Sequence, residues 1–286
     1  MKQFYRRTLS DVFQPELITL YRKKEAQKED FLELWQRVNS RYDATNFSRY
    51  LEYSEWARSL PLASNKIIFI GDSHADFLSR RLFLLGRRGS QLMRIPVCSI
   101  WLGPRTAHRA LRESFSEIRY HLHRLELAED SIVFVVLGEI DLRCHFAKYY
   151  LKRGDAEPEV QKQALDEFWQ QYQAKAESIY SSSIALIKLV VPPPPVKMDH
   201  LPLSVMGEYA PICNDNERLA LHRTLSQACD RLNVLGDKEG LPLFIRLTQS
   251  YELSSGFLDP CYTKDGIHVS NSEGVQLAVQ RLLDGL

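Results

Sequence analysis

The sequence predicts an α/β fold: a doubly wound, flavodoxin-like parallel sheet of five strands with helices on both faces, preceded by a helical N-terminal extension. Short strand-like runs alternate with longer helix-like runs from residue 66 onward. The strand-like runs are apolar along nearly their whole length, as expected of parallel strands that are covered on both faces. At 286 residues the chain is long enough for one such domain with an added segment.

The N-terminal extension is predicted at residues 1–64 and the α/β domain at residues 65–286. Residues 1–64 are rich in charged and aromatic side chains, with helix-compatible spacing over residues 17–42 and 47–60. Pro61 then ends the helical pattern directly before the first strong strand.

The α/β domain is predicted to contain five strands and five helices. The strands are expected at residues 66–70, 92–100, 131–137, 184–191 and 241–248, and the helices at about 75–85, 107–127, 159–180, 216–235 and from 273 onward. The four consecutive prolines of residues 192–195 end the fourth strand and begin a long segment to about Asn214, a length more typical of a binding loop or lid than of a simple connection. Ligands of such sheets bind beyond the carboxyl ends of the strands, so the residues that follow each strand are the functional candidates.

Composition argues against several classes of protein. The 37 basic and 36 acidic residues nearly cancel, which leaves no field that favours nucleic acid or an anionic membrane. The five cysteines are scattered without a CxxC pair, which indicates neither a zinc site nor a disulfide framework. The sequence shows no apolar signal segment and no membrane-spanning run, so we predict a cytoplasmic protein that needs no metal or cofactor.

The first predicted strand runs into Gly71-Asp72-Ser73-His74. Glycine permits a tight strand-to-helix turn, and Ser73 then lies near a helix N-terminus, where the dipole and free N–H groups favour developing negative charge. Two interpretations remain open at this point. Asp72 or Ser73 simply caps the helix, or Ser73 reacts; likewise His74 either faces a substrate or packs against the sheet.

The next two strands are also followed by informative residues. Gly103 is positioned to offer an unobstructed backbone N–H, although an ordinary Gly-Pro loop is an alternative. Several polar residues lie directly after the third strand, either as part of a site or as a solvated helix start: Glu139, Asp141, Arg143 and His145.

Near the C-terminus, Asp265 and His268 stand three residues apart. At this spacing the carboxylate can accept a hydrogen bond from imidazole Nδ1–H and leave Nε2 free to act as a base. Taken alone, this pattern is common and often no more than polar surface.

Together and in this order, G-D-S, a glycine after the second strand, G-x-x-D after the third and D-x-x-H before the last helix resemble the SGNH (GDSL-type) hydrolases. The resemblance covers residues 66–286 and not residues 1–64. It implies that Ser73 is the nucleophile, His268 the general base and Asp265 its orienting acid. It also implies an oxyanion hole that draws on the backbone N–H groups of Ser73 and Gly103.

One residue departs from the family's pattern. The third block usually reads G-x-N-D, in which the asparagine side chain donates to the oxyanion, and here Ile140 takes its place and donates nothing. Three nearby side chains are candidates to replace it: His74, Arg143 and His145. Arg143 is the best of these because its guanidinium carries a fork of permanent donors, although an ion pair with Glu139 or Asp141 is an equally good interpretation.

The resemblance implies a serine esterase. With four methionines and no extended apolar run beyond the strands, the sequence does not favour a lipase, and variants with G-D-S-H and a polar GEIDxR block resemble SGNH-like proteins of bacterial surface-glycan pathways. We therefore predict an esterase that removes O-acyl, above all O-acetyl, groups from a carbohydrate. Two alternatives stay open: a catalytically degenerate domain that binds a glycan or, through residues 1–64, a protein partner; and an O-acyltransferase that uses the same three residues.

Overall fold

The computed structural model describes residues 5–7, 60–79, 84–88, 91–125, 127–128, 130–151, 158–180, 185–201, 210–211, 213–236, 243–263, 265–269 and 273–285. The helix predicted at residues 17–42 lies outside these residues, as does the one at 47–60 apart from its last residue. No helix of the described residues is both long enough and apolar enough to cross a membrane.

The described chain forms eight strands in two sheets. These are β1 Tyr5–Arg7, β2 Ile67–Gly71, β3 Leu84–Arg88, β4 Gln91–Ile95, β5 Val97–Trp101, β6 Ile132–Val136, β7 Leu186–Val190 and β8 Phe244–Ile245. The main sheet has the order β1-β5-β2-β6-β7-β8, and β5, β2, β6, β7 and β8 run parallel. Numbered along the chain, these five strands stand in the order 2-1-3-4-5, which confirms the predicted flavodoxin-like sheet. The strand order reverses at β2, so the carboxyl end of β2 is the switch point where such folds place their ligands.

Six α-helices and one π-helical segment complete the described fold. They are α1 Ser73–Ser79, α2 Ala107–Arg112, α3 Ser116–His123, the π-helical Asp141–Leu151, α4 Pro158–Tyr180, α5 Asp215–Gly236 and α6 Glu273–Gly285. Short 3₁₀ turns occur at Met198–His200, Gln249–Tyr251 and Pro260–Tyr262. The helices predicted at 159–180, 216–235 and from 273 are thus found as α4, α5 and α6.

Helices cover both faces of the main sheet, as predicted. Along β2, Ile68 and Ile70 point to one core with α4 and α5, while Ile67 and Phe69 point to a second core with α1 and α6. All four side chains are fully buried. A strand buried on both faces reads as a continuous apolar run, and this explains why the sequence pattern was so clear.

The strand predicted at residues 92–100 is in fact two strands. Pro96 lies between β4, which pairs with β3 in a separate hairpin, and β5, which joins the main sheet. Proline has no N–H to donate to a ladder, so the chain changes partners there. The edge strand β1, antiparallel to β5, was not predicted.

The helix predicted at residues 107–127 is also divided, into α2 and α3. Ser114 and Phe115 both have positive φ values, +51° and +55°, which a helix cannot contain. Phe115 is 1% exposed and its ring lies 5.0 Å from that of Tyr172 on α4. Burial of this aromatic ring against α4 outweighs helical continuity. The predicted helix at residues 75–85 is correspondingly shorter, since α1 ends at Ser79 and β3 begins at Leu84.

The proline run after β7 is fixed onto α5. Arg218 donates to the carbonyl of Val196 at 2.9 Å, and His222 Nε2 donates to the carbonyl of Pro192 at 3.0 Å. Residues 202–209 and 212 of the predicted binding loop lie outside the described residues.

Candidate active site

Ser73 lies at the switch point of the sheet. It is the first residue of α1, and a single residue, Asp72, separates it from the end of β2 at Gly71. Its neighbour Gly71 approaches β6 so closely that an added Cβ would lie 1.8 Å from the carbonyl oxygen of Val136. Only glycine fits there, and this contact brings the end of β2, and with it Ser73, against the end of β6.

The cap of α1 is Asp72, and this leaves the Ser73 hydroxyl available. Asp72 Oδ1 accepts the backbone N–H of His74 at 2.8 Å, which satisfies one of the free donors at the helix start. The Asp72 carboxyl group is 1% exposed, and its Oδ2 has no hydrogen-bond partner among the described residues. Of the two capping interpretations, the geometry therefore supports Asp72.

Ser73 Oγ instead contacts His268, 195 residues further along the chain. The distance from Ser73 Oγ to His268 Nε2 is 2.7 Å, and His268 Nδ1 lies 2.7 Å from Asp265 Oδ2. Because the carboxylate can only accept, Nδ1 carries the proton and Nε2 accepts the hydroxyl proton of Ser73. The three residues form one continuous chain of hydrogen bonds in the tautomer that base catalysis requires.

Asp265 is itself held by the loop that carries His268, residues 265–269, here called the base loop after the role that the sequence resemblance implies for His268. Its Oδ1 accepts the backbone N–H groups of Ile267 at 3.1 Å and His268 at 2.8 Å. Burial acts to raise the pKa of Asp265, but these hydrogen bonds, with the bond from the His268 ring, outweigh it and hold the pKa well below its usual range. The stability that this ionised group contributes is therefore fully present above the ordinary aspartate pKa of about 3.9, and is lost only as the pH falls toward the lower value of the folded state.

Two rings fix the plane of the His268 imidazole. Phe77 of α1 stacks on it with ring centroids 4.3 Å apart and an interplanar angle of 17°. The His74 ring lies on another side, with centroids 4.8 Å apart. Sequence reasoning missed Phe77. Its position four residues after Ser73, on the same side of α1, was the available signal.

Gly103 lies in the loop after β5 with φ +81°, a conformation that favours glycine. The preceding Leu102 donates its N–H to the carbonyl of Gly71 at 2.8 Å, which ties this loop to the chain two residues before Ser73. Among the described residues the Gly103 N–H has no hydrogen-bond partner. Ser73, as the first residue of α1, has no carbonyl partner for its N–H within the helix. These are the two backbone N–H groups that the sequence resemblance implies as oxyanion donors.

Asp141 positions the Gly103 loop from across the site. Its fully buried carboxylate accepts hydrogen bonds from the first two backbone N–H groups of α2, that of Ala107 at 2.6 Å and that of His108 at 3.2 Å. Thr106 completes the cap by accepting the N–H of Arg109 at 3.0 Å. Asp141, predicted as a site residue, therefore acts on the loop that precedes α2.

We expect Asp141→Asn to lower turnover of p-nitrophenyl acetate by about 10- to 100-fold. Both carboxylate oxygens of Asp141 accept backbone N–H groups, so the NH₂ of asparagine would face the N–H of either Ala107 or His108, and the Gly103 loop would shift. The matched control is Asp166→Asn, which removes the ion pair of Asp166 with Arg231 on the outer surfaces of α4 and α5. Thermal unfolding of both variants is measured beside kcat. Equal turnover in the two variants would show that Asp141 has no role in positioning the loop.

Ile140 is 5% exposed and packs into the protein, so the position of the usual asparagine offers no donor. Each of the three side chains considered as a replacement faces a carboxylate instead. Arg143 Nε and Nη2 donate to Glu139 at 2.8 and 2.9 Å; His145 Nδ1 lies 3.6 Å from Asp141; and His74 Nδ1 lies 3.4 Å from Asp72. For Arg143 the geometry supports the ion-pair interpretation with Glu139.

The Glu139–Arg143 pair is largely buried, with the two side chains 14% and 9% exposed. Burial acts to raise the pKa of Glu139, but the adjacent Arg143 charge and hydrogen bonds, together with His74 and His268, lower it. Glu139 is thus an anion close to His268, balanced by Arg143. Within the described residues, no group of three or more His, Cys, Asp or Glu side chains could hold a metal ion.

Trp101, the last residue of β5, is a candidate site residue that was not predicted from the sequence. Its side chain is 45% exposed although it ends an apolar strand. It shares a face of β5 with Ser99, whose hydroxyl donates to Asp76 in the first turn of α1 at 3.2 Å. Trp101 lies two residues nearer the carboxyl end of β5 and pairs in the sheet with Gly71, two residues before Ser73.

No protein-family model matches the sequence, and no curated protein matches it significantly. Several solved structures are similar in chain path. A GDSL-like lipase from Bacteroides thetaiotaomicron has 15% identity, and the match covers 84% of this chain and 99% of that one with a TM-score of 0.45. An acetyl xylan esterase from Geobacillus stearothermophilus has 14% identity, with 78% and 96% covered and a TM-score of 0.39. The C-terminal domain of the Drosophila Oskar protein has 13% identity, with 80% and 95% covered and a TM-score of 0.36. A likeness of this degree says nothing about activity, which is a property of the site.

Proposed function

We propose that the chain is a serine esterase that works through an acyl intermediate on Ser73. The observation that carries the proposal is the hydrogen-bonded chain from Ser73 Oγ through the His268 ring to Asp265, with both distances at 2.7 Å. A serine hydroxyl is a weak nucleophile until an adjacent base takes its proton, and this arrangement supplies that base in the correct tautomer.

The reaction would proceed in two halves. Ser73 Oγ attacks the ester carbonyl carbon while its proton moves to His268 Nε2; the C–O bond to the alcohol then breaks, and Nε2 returns the proton to the leaving oxygen. Water attacks the acyl-serine in the same way, gives one proton to Nε2 and releases the carboxylic acid as Ser73 regains its proton. Asp265 stays ionised throughout and stabilises the imidazolium.

Two backbone donors would hold the oxyanion, the N–H groups of Ser73 and Gly103. The third donor of the resembling family has no counterpart, because Ile140 is apolar and the polar neighbours are paired with acids. A missing donor costs about 10² to 10³ in rate, so we expect a functional but slow esterase.

The substrate we propose is an O-acetylated carbohydrate. The supporting observation is Trp101, an exposed indole that pairs in the sheet with Gly71, two residues before Ser73, and that has no ring contact with any other described residue. An exposed indole at the carboxyl end of a strand in this sheet is a flat apolar surface that a ligand of matching shape can cover. The flat C–H face of a sugar ring matches an indole, and stacking there would hold the sugar while its acetyl group reaches Ser73.

We expect Trp101→Ala to raise KM for O-acetylated oligosaccharides by about tenfold, the loss of one aromatic contact, and to leave KM for p-nitrophenyl acetate unchanged. Trp101→Phe should recover part of the loss. Tyr120→Ala is the matched control, since this side chain is 53% exposed on α3. A parent that hydrolyses p-nitrophenyl acetate but no O-acetylated sugar, or a Trp101 variant that weakens both substrates alike, would contradict the carbohydrate proposal.

The second candidate is a module that binds a glycan without catalysis, and Ile140 is the observation that favours it. In that case Trp101→Ala would weaken glycan binding while the parent shows no turnover. An acyltransferase, in which a sugar hydroxyl replaces water in the second half-reaction, would show transfer of acetyl to added sugar acceptors in preference to release of acetate.

A protein partner at residues 1–64 and a cytoplasmic location are further proposals from the sequence.

A further inference from the structure

His74 lies beside the proposed triad and is 2% exposed. Both of its ring nitrogens face oxygen atoms. Nε2 lies 3.3 Å from the backbone carbonyl of Ile267. Nδ1 is buried and forms no hydrogen bond with a described residue, and the oxygen it faces is Asp72 Oδ1, at 3.4 Å. Neither oxygen can donate, because one belongs to a carbonyl group and the other to a carboxylate.

A neutral imidazole cannot satisfy this environment. It carries one N–H, so whichever tautomer forms, the lone pair of the other nitrogen points at an oxygen in a buried site. The protonated ring has two N–H groups, one for each acceptor. It also places a positive charge beside the buried Asp72 carboxylate, which would otherwise be a costly unpaired charge.

We propose that His74 is an imidazolium clamp: one ring N–H donates to the Ile267 carbonyl, the other is directed at Asp72, and together they fix the base loop so that His268 stays aligned with Ser73. His74 is thus a positioning residue rather than a donor to the oxyanion. The inference rests on the proposed esterase function.

The connectivity explains why this position matters. Asp72 is the cap of α1 and adjoins Ser73, whereas Ile267 adjoins His268. The clamp therefore links the residue before the nucleophile to the residue before the base. Its ring also packs 4.8 Å from the His268 ring, so the charge acts on the base at short range.

The charged groups around His74 come from three elements. Asp72 belongs to the turn before α1, Glu139 to the segment after β6, where it is paired with Arg143, and His268 to the base loop. Burial acts to lower the pKa of His74, but the adjacent Asp72 carboxylate, the charge of Glu139 and the carbonyl of Ile267 outweigh it and raise the pKa. This direction agrees with the geometry.

Nitrogen NMR of the ¹⁵N-histidine-labelled full chain tests the protonation state directly. The His74 signals are assigned among the eight histidines by their loss in His74→Gln. We expect both ring nitrogens of His74 to be protonated at neutral pH. A neutral tautomer would overturn the clamp. This measurement does not require the chain to be an esterase and needs no variant to be active.

Kinetics test the positioning role. His74→Phe keeps a ring but has no donor, and we expect kcat for p-nitrophenyl acetate to fall about 10- to 100-fold with KM unchanged. His74→Gln keeps one donor in reach of the Ile267 carbonyl and should recover part of the loss. In both variants the acid limb of the kcat/KM profile should move to higher pH, because the repulsion that opposes a second positive charge on His268 is gone.

The matched control is His123→Gln, an exposed histidine on α3, which should leave both rate and pH profile unchanged. If His74 merely fills space, Phe would preserve activity better than Gln and the pH profile would not move. An inactive parent with a protonated His74 would overturn the esterase proposal and retain the clamp. An active parent with a neutral His74 would overturn the clamp alone.

Discussion

Replacing Ser73 by Ala is expected to lower kcat for p-nitrophenyl acetate by about 10⁴-fold or more. The reason is that no other described hydroxyl shares the hydrogen bond to His268 Nε2, and alanine offers nothing to acylate. The variant should fold normally, because the cap of α1 is Asp72 and not Ser73.

Ser79→Ala is the control for Ser73→Ala. It removes a hydroxyl from the opposite end of the same helix, where Ser79 Oγ donates to the carbonyl of Asp76 at 3.0 Å. Turnover should be unchanged. Retention of activity in Ser73→Ala, with unfolding temperatures matched among the three proteins, would exclude Ser73 as the nucleophile.

Asp265→Asn is expected to lower kcat by about 10⁴-fold with little change in KM or in folding. The two backbone N–H groups of Ile267 and His268 need an oxygen at the Oδ1 position, so the new amide NH₂ is forced to the Oδ2 position and faces His268 Nδ1. Nδ1 must then accept, and the ring proton moves to Nε2, the atom that has to take the proton of Ser73. The base is present but in the wrong tautomer.

Asp259→Asn is the matched control for this loss. Asp259 also uses its Oδ1 to accept a backbone N–H, that of Cys261 at 3.0 Å, in the 3₁₀ turn shortly before the base loop. It has no contact with His268 among the described residues, and its substitution should leave kcat unchanged. Normal activity in Asp265→Asn would show that the His268 tautomer is set by something other than Asp265.

The sheet and the hydrogen-bonded grouping of Ser73, His268 and Asp265 were predictable because each depends on a short pattern of residues. Continuous apolar runs predicted the parallel strands. The GDSH motif directly follows the first of them, β2, and the D-x-x-H motif lies just before the last helix, α6. The change of partner at Pro96 and the helix break at Phe115 were not predicted, since they depend on which distant surface each residue meets: a separate hairpin for β4, and Tyr172 of α4 for Phe115.

The partners of the polar site residues were harder to predict than the residues themselves. The Glu139–Arg143 pair has helical i,i+4 spacing and was one of two open interpretations. By contrast, Asp141 reaches Ala107 across 34 residues, and His74 reaches Ile267 across 193, so neither contact has a local signal. Trp101 ends an apolar strand, a pattern that indicates burial, and its exposure follows only from its place at the carboxyl end of β5.

Covalent modification by a fluorophosphonate, mapped by peptide mass spectrometry, is the most direct measurement of the proposed triad. The folded parent should gain one adduct, located on Ser73, and His268→Ala should lose nearly all of it because the hydroxyl is no longer activated. A folded parent that stays unmodified, or that carries its adduct on a different serine, would contradict the esterase proposal.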